Sequence, residues 1–288
     1  MDGMKASDSR TPSAELLCQM ALVHRSQGNF KASISLFQQA LSVATSAGDE
    51  KMKAEAANGL GTIFLFMSNY AEAEQYYTQA QDVSTRIGDG LSQARALRGM
   101  GSTYHHQNKL TQAEESYTRA RNIFSRLGHL DGQASVSRAL GNIFSDRSQY
   151  YKAEELYNQA NNIYARIGND LGHGDTLMRL GELFETQSQY PKAEEFFNRA
   201  LEKYTRIGHN MGRANIKSAL GHVYRVQGLN TRAAPLLAEA RDLYALIGDS
   251  ATEKNCSDWL AVVSAEEDSS TASPCPGDDD VSSPAHQH

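Results

Sequence analysis

Residues 130–169 read LDGQASVSRALGNIFSDRSQYYKAEELYNQANNIYARIGN. In the first half, Ala134, Leu140, Gly141 and Phe144 fall on one helical face; in the second, Tyr150, Ala153, Tyr157, Ala160, Ile163 and Ile167 fall on another. Steps of three and four residues mark amphipathic helices. A polar turn, Asp146 to Gln149, separates them. Ile167-Gly168 closes the stretch, as expected of a helix end, because glycine takes the left-handed cap with no Cβ to clash. The stretch reads as a helical hairpin.

The same hairpin is spelled again on either side at forty-residue steps. Gly61, Gly101, Gly141, Gly181 and Gly221 keep that step, as do Ala73, Ala113, Ala153, Ala193 and Ala233. Ile87-Gly88, Leu127-Gly128, Ile207-Gly208 and Ile247-Gly248 repeat the closing signal. Each unit buries its apolar face only against a neighbour, so a fixed period of this length implies stacked hairpins. The expected units are 12–49, 50–89, 90–129, 130–169, 170–209 and 210–249. Pro191 falls where a second helix should begin, a position that tolerates proline. The ends depart from the frame: Ala21 replaces the glycine and His24 replaces the aromatic of the other units. Residues 250–264 are expected to form one capping helix, with Trp259, Leu260 and Val263 covering the last pair. The array therefore spans 12–264, with a disordered N-terminus over 1–11. From Ala265 to His288 the chain is Ser-, Pro- and Asp-rich, and is expected to be disordered because it cannot bury enough apolar surface to offset its ordering entropy.

Charge and composition narrow the function. Six of the 34 acidic residues lie in 265–288, which holds no Lys or Arg, so residues 1–264 balance 28 acidic against 28 basic side chains. Binding nucleic acid through bulk charge is not expected. There is no run of apolar residues long enough for a membrane span, and Met1–Ser13 lacks the apolar centre of a signal peptide. Cys18, Cys256 and Cys275 form no CxxC pair, which fits a reducing, cytoplasmic setting and neither a disulfide framework nor a zinc site.

Gly61 after Leu60, Phe64 three residues later, then Tyr70, Ala73, Tyr77 and Ala80 follow in order the consensus of the tetratricopeptide repeat (TPR), which the chain resembles over about 250 residues. The 40-residue unit and Leu140-Gly141-Asn142 are similar to Pins-type Leu-Gly-Asn repeat proteins, rapsyn and kinesin light chain arrays; similar arrays occur as sensor arms of STAND-type ATPases. The resemblance implies an all-α, right-handed superhelical solenoid of six TPR hairpins plus the capping helix, with a peptide or protein held in the groove lined by the first helices. The Lys/Asn/Arg set of a chaperone-type carboxylate clamp is incomplete, since Cys18 and Leu22 stand at two of its places.

Signs of catalysis are few. Asn58-Gly59-Leu60-Gly61 begins like a dinucleotide loop, but Phe64 replaces the third glycine and no strand precedes it. There is no P-loop, HExxH or GxSxG. His105 and His106 are helix neighbours about 100° apart, poorly placed to share a metal. The recurring Tyr77, Tyr117, Tyr157 and Phe197 are expected to pack between helices. No cofactor, metal or catalytic residue is expected, and the chain is not read as an enzyme.

The informative side chains are those that vary within the fixed frame. Positions six and three before the repeat glycine, and one and four after it, share one helical stripe. That stripe gives the candidate groove residues: Asn58, Arg95, Arg98, Arg138 and Asn142, then Glu182, Glu185, His222 and Arg225. The groove is expected to be basic at its middle and acidic in the fifth unit. An acidic residue of a bound segment would meet Arg98 and Arg138, a basic one Glu182 and Glu185, and its backbone Asn58 and Asn142. The expected function is an adaptor for a protein or peptide that carries acidic residues, with neither nucleic acid nor membrane as a partner, acting as monomer or weak oligomer. A ligand-sensing regulatory arm acting on a partner ATPase or transcription regulator is the alternative. The acidic tail offers a further expectation, folding back onto the arginines, with Ser273 and Ser283 as phosphate acceptors.

Overall fold

The computed structural model describes residues 12–271. The segment 1–11 and the tail from 272 onward, with the phosphate-acceptor serines, lie outside the described residues. The described chain is all helix: α1 (Ala14–Ser26), α2 (Phe30–Ala47), α3 (Glu50–Phe66), α4 (Tyr70–Ile87), α5 (Gly90–His106), α6 (Leu110–Arg126), α7 (Leu130–Asp146), α8 (Tyr150–Ile167), α9 (Asp170–Thr186), α10 (Tyr190–Arg206), α11 (Asn210–Val226), α12 (Asn230–Ile247) and α13 (Ser250–Thr271). Helix α13 runs beyond 264, where the sequence reading ended it. Ala265, Glu266 and Glu267 favour the helix and no Pro or Gly intervenes before Pro274, so nothing local stops it.

The described residues divide into two compact units, one ending at Arg179 and the other starting at Leu180. In the first, α1 pairs with α2, α3 with α4, α5 with α6 and α7 with α8. The second helices α2, α4 and α6 also pack on the next first helix, and the first helices α1, α3, α5 and α7 touch in succession. In the second unit α11 packs on α10 and α12, and α12 on α13.

Glycine allows the helices of a hairpin to approach around an aromatic ring. A Cβ on Gly101 would stand 2.7 Å from Cδ1 of Tyr117, and one on Gly61 would stand 2.8 Å from Cδ1 of Tyr77. Gly99 closes on the same Tyr77 ring from the next hairpin, where a Cβ would come within 2.3 Å. Tyr77 and Tyr117 are accordingly buried. In the second unit Gly181 faces Phe197 and Gly221 faces Leu237 in the same manner.

The junctions carry two signals, a left-handed glycine and a capping side chain after it. Gly48, Gly88, Gly128, Gly168, Gly208 and Gly248 all take the left-handed conformation, with φ between 64° and 83°. The residue after each starts the next helix, and Asp49, Asp89, His129, Asn169, His209 and Asp249 accept a backbone N–H with their side chains. Such a cap satisfies one of the helix's orphan donors and contributes about 1 kcal/mol. The turn inside each hairpin also needs a left-handed residue. Gly28 and Gly228 supply it at the two ends, but Ser68, Asn108, Ser148 and Ser188 hold φ of 56° to 60° in between.

Candidate functional site

The first unit contains a cavity of about 900 Å³ along α1, α3, α5 and α7 and the start of α9. Asn58 reaches it from α3, Arg95 and Arg98 from α5, and Arg138 and Asn142 from α7. All candidate residues of the first unit therefore meet at one hollow, as their shared stripe on successive first helices requires. The cavity is strongly cationic: Arg25 and Arg179 join the other arginines, against the carboxylates of Glu55 and Asp175.

Its floor is a ladder of hydroxyl contacts. The Tyr77 Oη donates to Thr62 Oγ1 at 3.2 Å, Tyr157 Oη donates to Asn142 Oδ1 at 2.8 Å, and the Tyr117 and Ser102 hydroxyls lie 2.9 Å apart. A buried phenol needs a polar partner, and the residue just after the repeat glycine supplies it. Burial raises Tyr117 to about 12 against the opposing Ser102 hydrogen bond and the Arg98 charge. Tyr77 is also raised by burial, opposed by Thr62 and then by the charges of Arg98 and Arg25. The Arg98 charge thus acts on both of these phenols, joined by Arg25 at Tyr77 and by Arg138 at Tyr117.

The guanidinium groups differ in their partners. Arg138 is ion-paired with Asp175. Arg98 donates to the neutral Ser135 hydroxyl at 3.1 Å. Arg25 and Arg95 make no side-chain hydrogen bond or ion pair among the described residues. Asn58 donates Nδ2 to the Ser92 carbonyl at 3.2 Å, while its buried Oδ1 lacks a partner. Both asparagines therefore spend part of their bonding capacity inside the protein, which the sequence reading did not anticipate. His105 lies 2.6 Å from Asp146, and His106 stacks on Tyr70. Burial, and then the neighbouring His105, lower the pKa of His106.

In the second unit Glu185 Oε1 lies 2.7 Å from His222 Nδ1, and the His222 ring packs 5.6 Å from Trp259 of α13. Glu182 is half-buried on the same helix, and Arg225 buries its Nε without a partner. Among the described residues, no group of three or more His, Cys, Asp and Glu side chains could hold a metal ion. No helix among them is long and apolar enough to cross a membrane.

The tetratricopeptide repeat family pattern matches residues 12–86, 52–126, 92–166, 132–206 and 173–245, and the chain belongs to that family. Curated protein sequences give no significant match. Among solved structures, a STAND protein with a tetratricopeptide repeat sensor from Pyrococcus horikoshii superposes with a TM-score of 0.71 at 18% identity, over 88% of this chain and 39% of that one. A Rap protein complexed with competence and sporulation factor gives 0.67 at 14% identity, over 88% and 75% of the two chains. The Rap conjugation gene regulator of plasmid pLS20 in complex with the Phr* peptide gives 0.63 at 13% identity, over 94% and 81%. At these identities the likeness is one of fold.

Proposed function

We propose that the chain is a non-catalytic adaptor that holds a protein or peptide segment against the first helices of its first unit. The observation that carries this reading is the convergence of non-repeating side chains (Asn58, Arg95, Arg98, Arg138 and Asn142) on one cavity while the packing frame repeats around them. A wall with an excess of one charge sign, here five arginines against Glu55 and Asp175, raises the local potential and steers a complementary ligand. The bound segment therefore carries acidic residues, which meet the arginines of this wall, Arg98 foremost because its one side-chain partner is the neutral Ser135 hydroxyl. Two structural neighbours of the same fold are complexes, one with competence and sporulation factor and one with the Phr* peptide, which supports a peptide-sized occupant. In the second unit Glu182 and Glu185 would take a basic side chain, with His222 and Arg225 beside them. The buried free thiols of Cys18 and Cys256 are in keeping with a reducing, cytoplasmic compartment.

Affinity capture followed by mass spectrometry, comparing the wild-type chain with the Arg98→Ala/Arg138→Ala double variant, tests the reading. Loss of a defined set of captured proteins is expected. Recovery of the same set by both chains refutes it.

A further inference from the structure

Building on that reading of the groove, we propose that the first-unit cavity recognises a protein segment pairing a carboxylate side chain with a bulky apolar side chain beside it. The carboxylate sits at Arg98, in the cavity that Arg25 and Arg95 also line, and the apolar side chain sits on a shoulder made by Leu22, Leu65 and Phe66.

The charge half follows from which guanidiniums are already satisfied. Arg138 is neutralised by Asp175, so it has little to offer an incoming anion. Arg98 bonds only a neutral hydroxyl, and Arg25 and Arg95 have no described partner. A segment that covers these groups must bring negative charge, because removing an unpaired guanidinium from water is costly. A carboxylate also matches the guanidinium's planar donor fork.

The apolar half follows from the repeat itself. The position just after the repeat glycine is polar in the other units, where it is Thr62, Ser102, Asn142, Glu182 and His222, but in the first unit it is Leu22. Four residues after the glycine the other units carry Arg25, His105, Ser145, Glu185 and Arg225, yet the second unit has Leu65. The frame does not demand apolar residues at either place. Phe66, next along, is 67% exposed, and Leu22 is 39% exposed. All of them line the same cavity as Arg25, Arg95 and Arg98. Apolar surface left open beside unpaired cations makes a site with two complementary halves.

The full chain is used as bait for a display library of random, unphosphorylated dodecapeptides, and an enriched peptide is then measured by fluorescence anisotropy. Enrichment of Asp or Glu within two residues of a large apolar residue is expected. Arg98→Ala should weaken the enriched peptide by about tenfold or more, as should Leu22→Ser/Leu65→Ser. Arg138→Ala should change it by less than about threefold, since Asp175 already holds that group in a solvent-screened pair. Arg98 is exposed on its helix, so its removal leaves the packing intact, which circular dichroism verifies. Enriched peptides without the acidic–apolar pair, or equal binding by Arg98→Ala, overturn the inference while leaving groove binding in place. A selection that enriches nothing overturns both.

Discussion

Replacing Gly101 by alanine puts one methyl group where the structure has no room. The new Cβ would stand 2.7 Å from Cδ1 and 2.8 Å from Cε1 of Tyr117, well inside contact distance. The ring cannot swing away freely. It is 2% exposed, and its hydroxyl lies 2.9 Å from that of Ser102, the residue beside the substitution. Either the α5–α6 hairpin opens or the ring shifts and the hydroxyl contact breaks. Overpacking of this kind costs about 1–3 kcal/mol. Losing the buried hydrogen bond adds about 1 kcal/mol. Alanine's better helix propensity returns up to about 1 kcal/mol. The net expectation is a destabilisation of roughly 1–3 kcal/mol. Gly90→Ala in the same helix is the control, since its nearest neighbour would be Leu127 Cδ1 at 3.5 Å, an ordinary contact. Urea unfolding followed by far-UV circular dichroism should show a lowered midpoint for Gly101→Ala and an unchanged or raised one for Gly90→Ala. Equal or greater stability of Gly101→Ala would refute the claim that these glycines exist to seat the aromatic rings.

Other perturbations follow from the same geometry. Asp89→Ala should cost about 1 kcal/mol in the same assay, and Asp89→Asn much less, because the side-chain oxygen caps α5. Burial alone would raise the Asp89 pKa, but the hydrogen bonds from Ser92 and Leu91 outweigh it and hold the group below its ordinary value, and Asp249 is lowered mainly by its hydrogen bonds from Thr252. A depressed carboxylate contributes stability that is fully present above the unfolded value of about 4 and is lost as pH falls through the folded one, so acid titration should narrow the gap between wild type and Asp89→Ala. Ser148 holds a left-handed φ of 57°, so Ser148→Gly should stabilise by up to about 1 kcal/mol, whereas Ser148→Val should destabilise by about 1–2 kcal/mol, both read as shifts in midpoint. Asp175→Asn frees Arg138 and should tighten an acidic peptide by about two- to fivefold in anisotropy; weaker binding would mean that Asp175 contacts the ligand itself.

Particular residues show how far the sequence could be read. Gly61, Ala73 and Tyr77 recur because hairpin packing imposes the same volume constraint on every unit, so their spacing alone announces the helices, their pairing and the face they bury. The candidate stripe through Arg95, Arg98 and Arg138 was legible for a related reason: first helices of one length, repeated in register, keep equivalent positions aligned. Several things escaped. The Gly-Asp, Gly-His and Gly-Asn junctions announce helix N-caps as plainly as the glycines announce C-caps. The left-handed Ser148 was foreshadowed by Gly28 and Gly228 at the same repeat position. The extension of α13 past 264 escaped because composition describes solubility better than it describes helix continuation.

The sequence by itself determined the all-helical repeat, its family and which positions of the first helices share one stripe, because those depend on local periodicity and on contacts that every unit repeats. Only the tertiary structure decided which of those positions are already spoken for. Arg138 and Asp175 are 37 residues apart and Tyr157 and Asn142 are 15 apart, and their pairing depends on how side chains from different helices meet in space. The same stripe therefore contains a neutralised arginine and an available one, a distinction set by neighbours across the helix interface and invisible to periodicity.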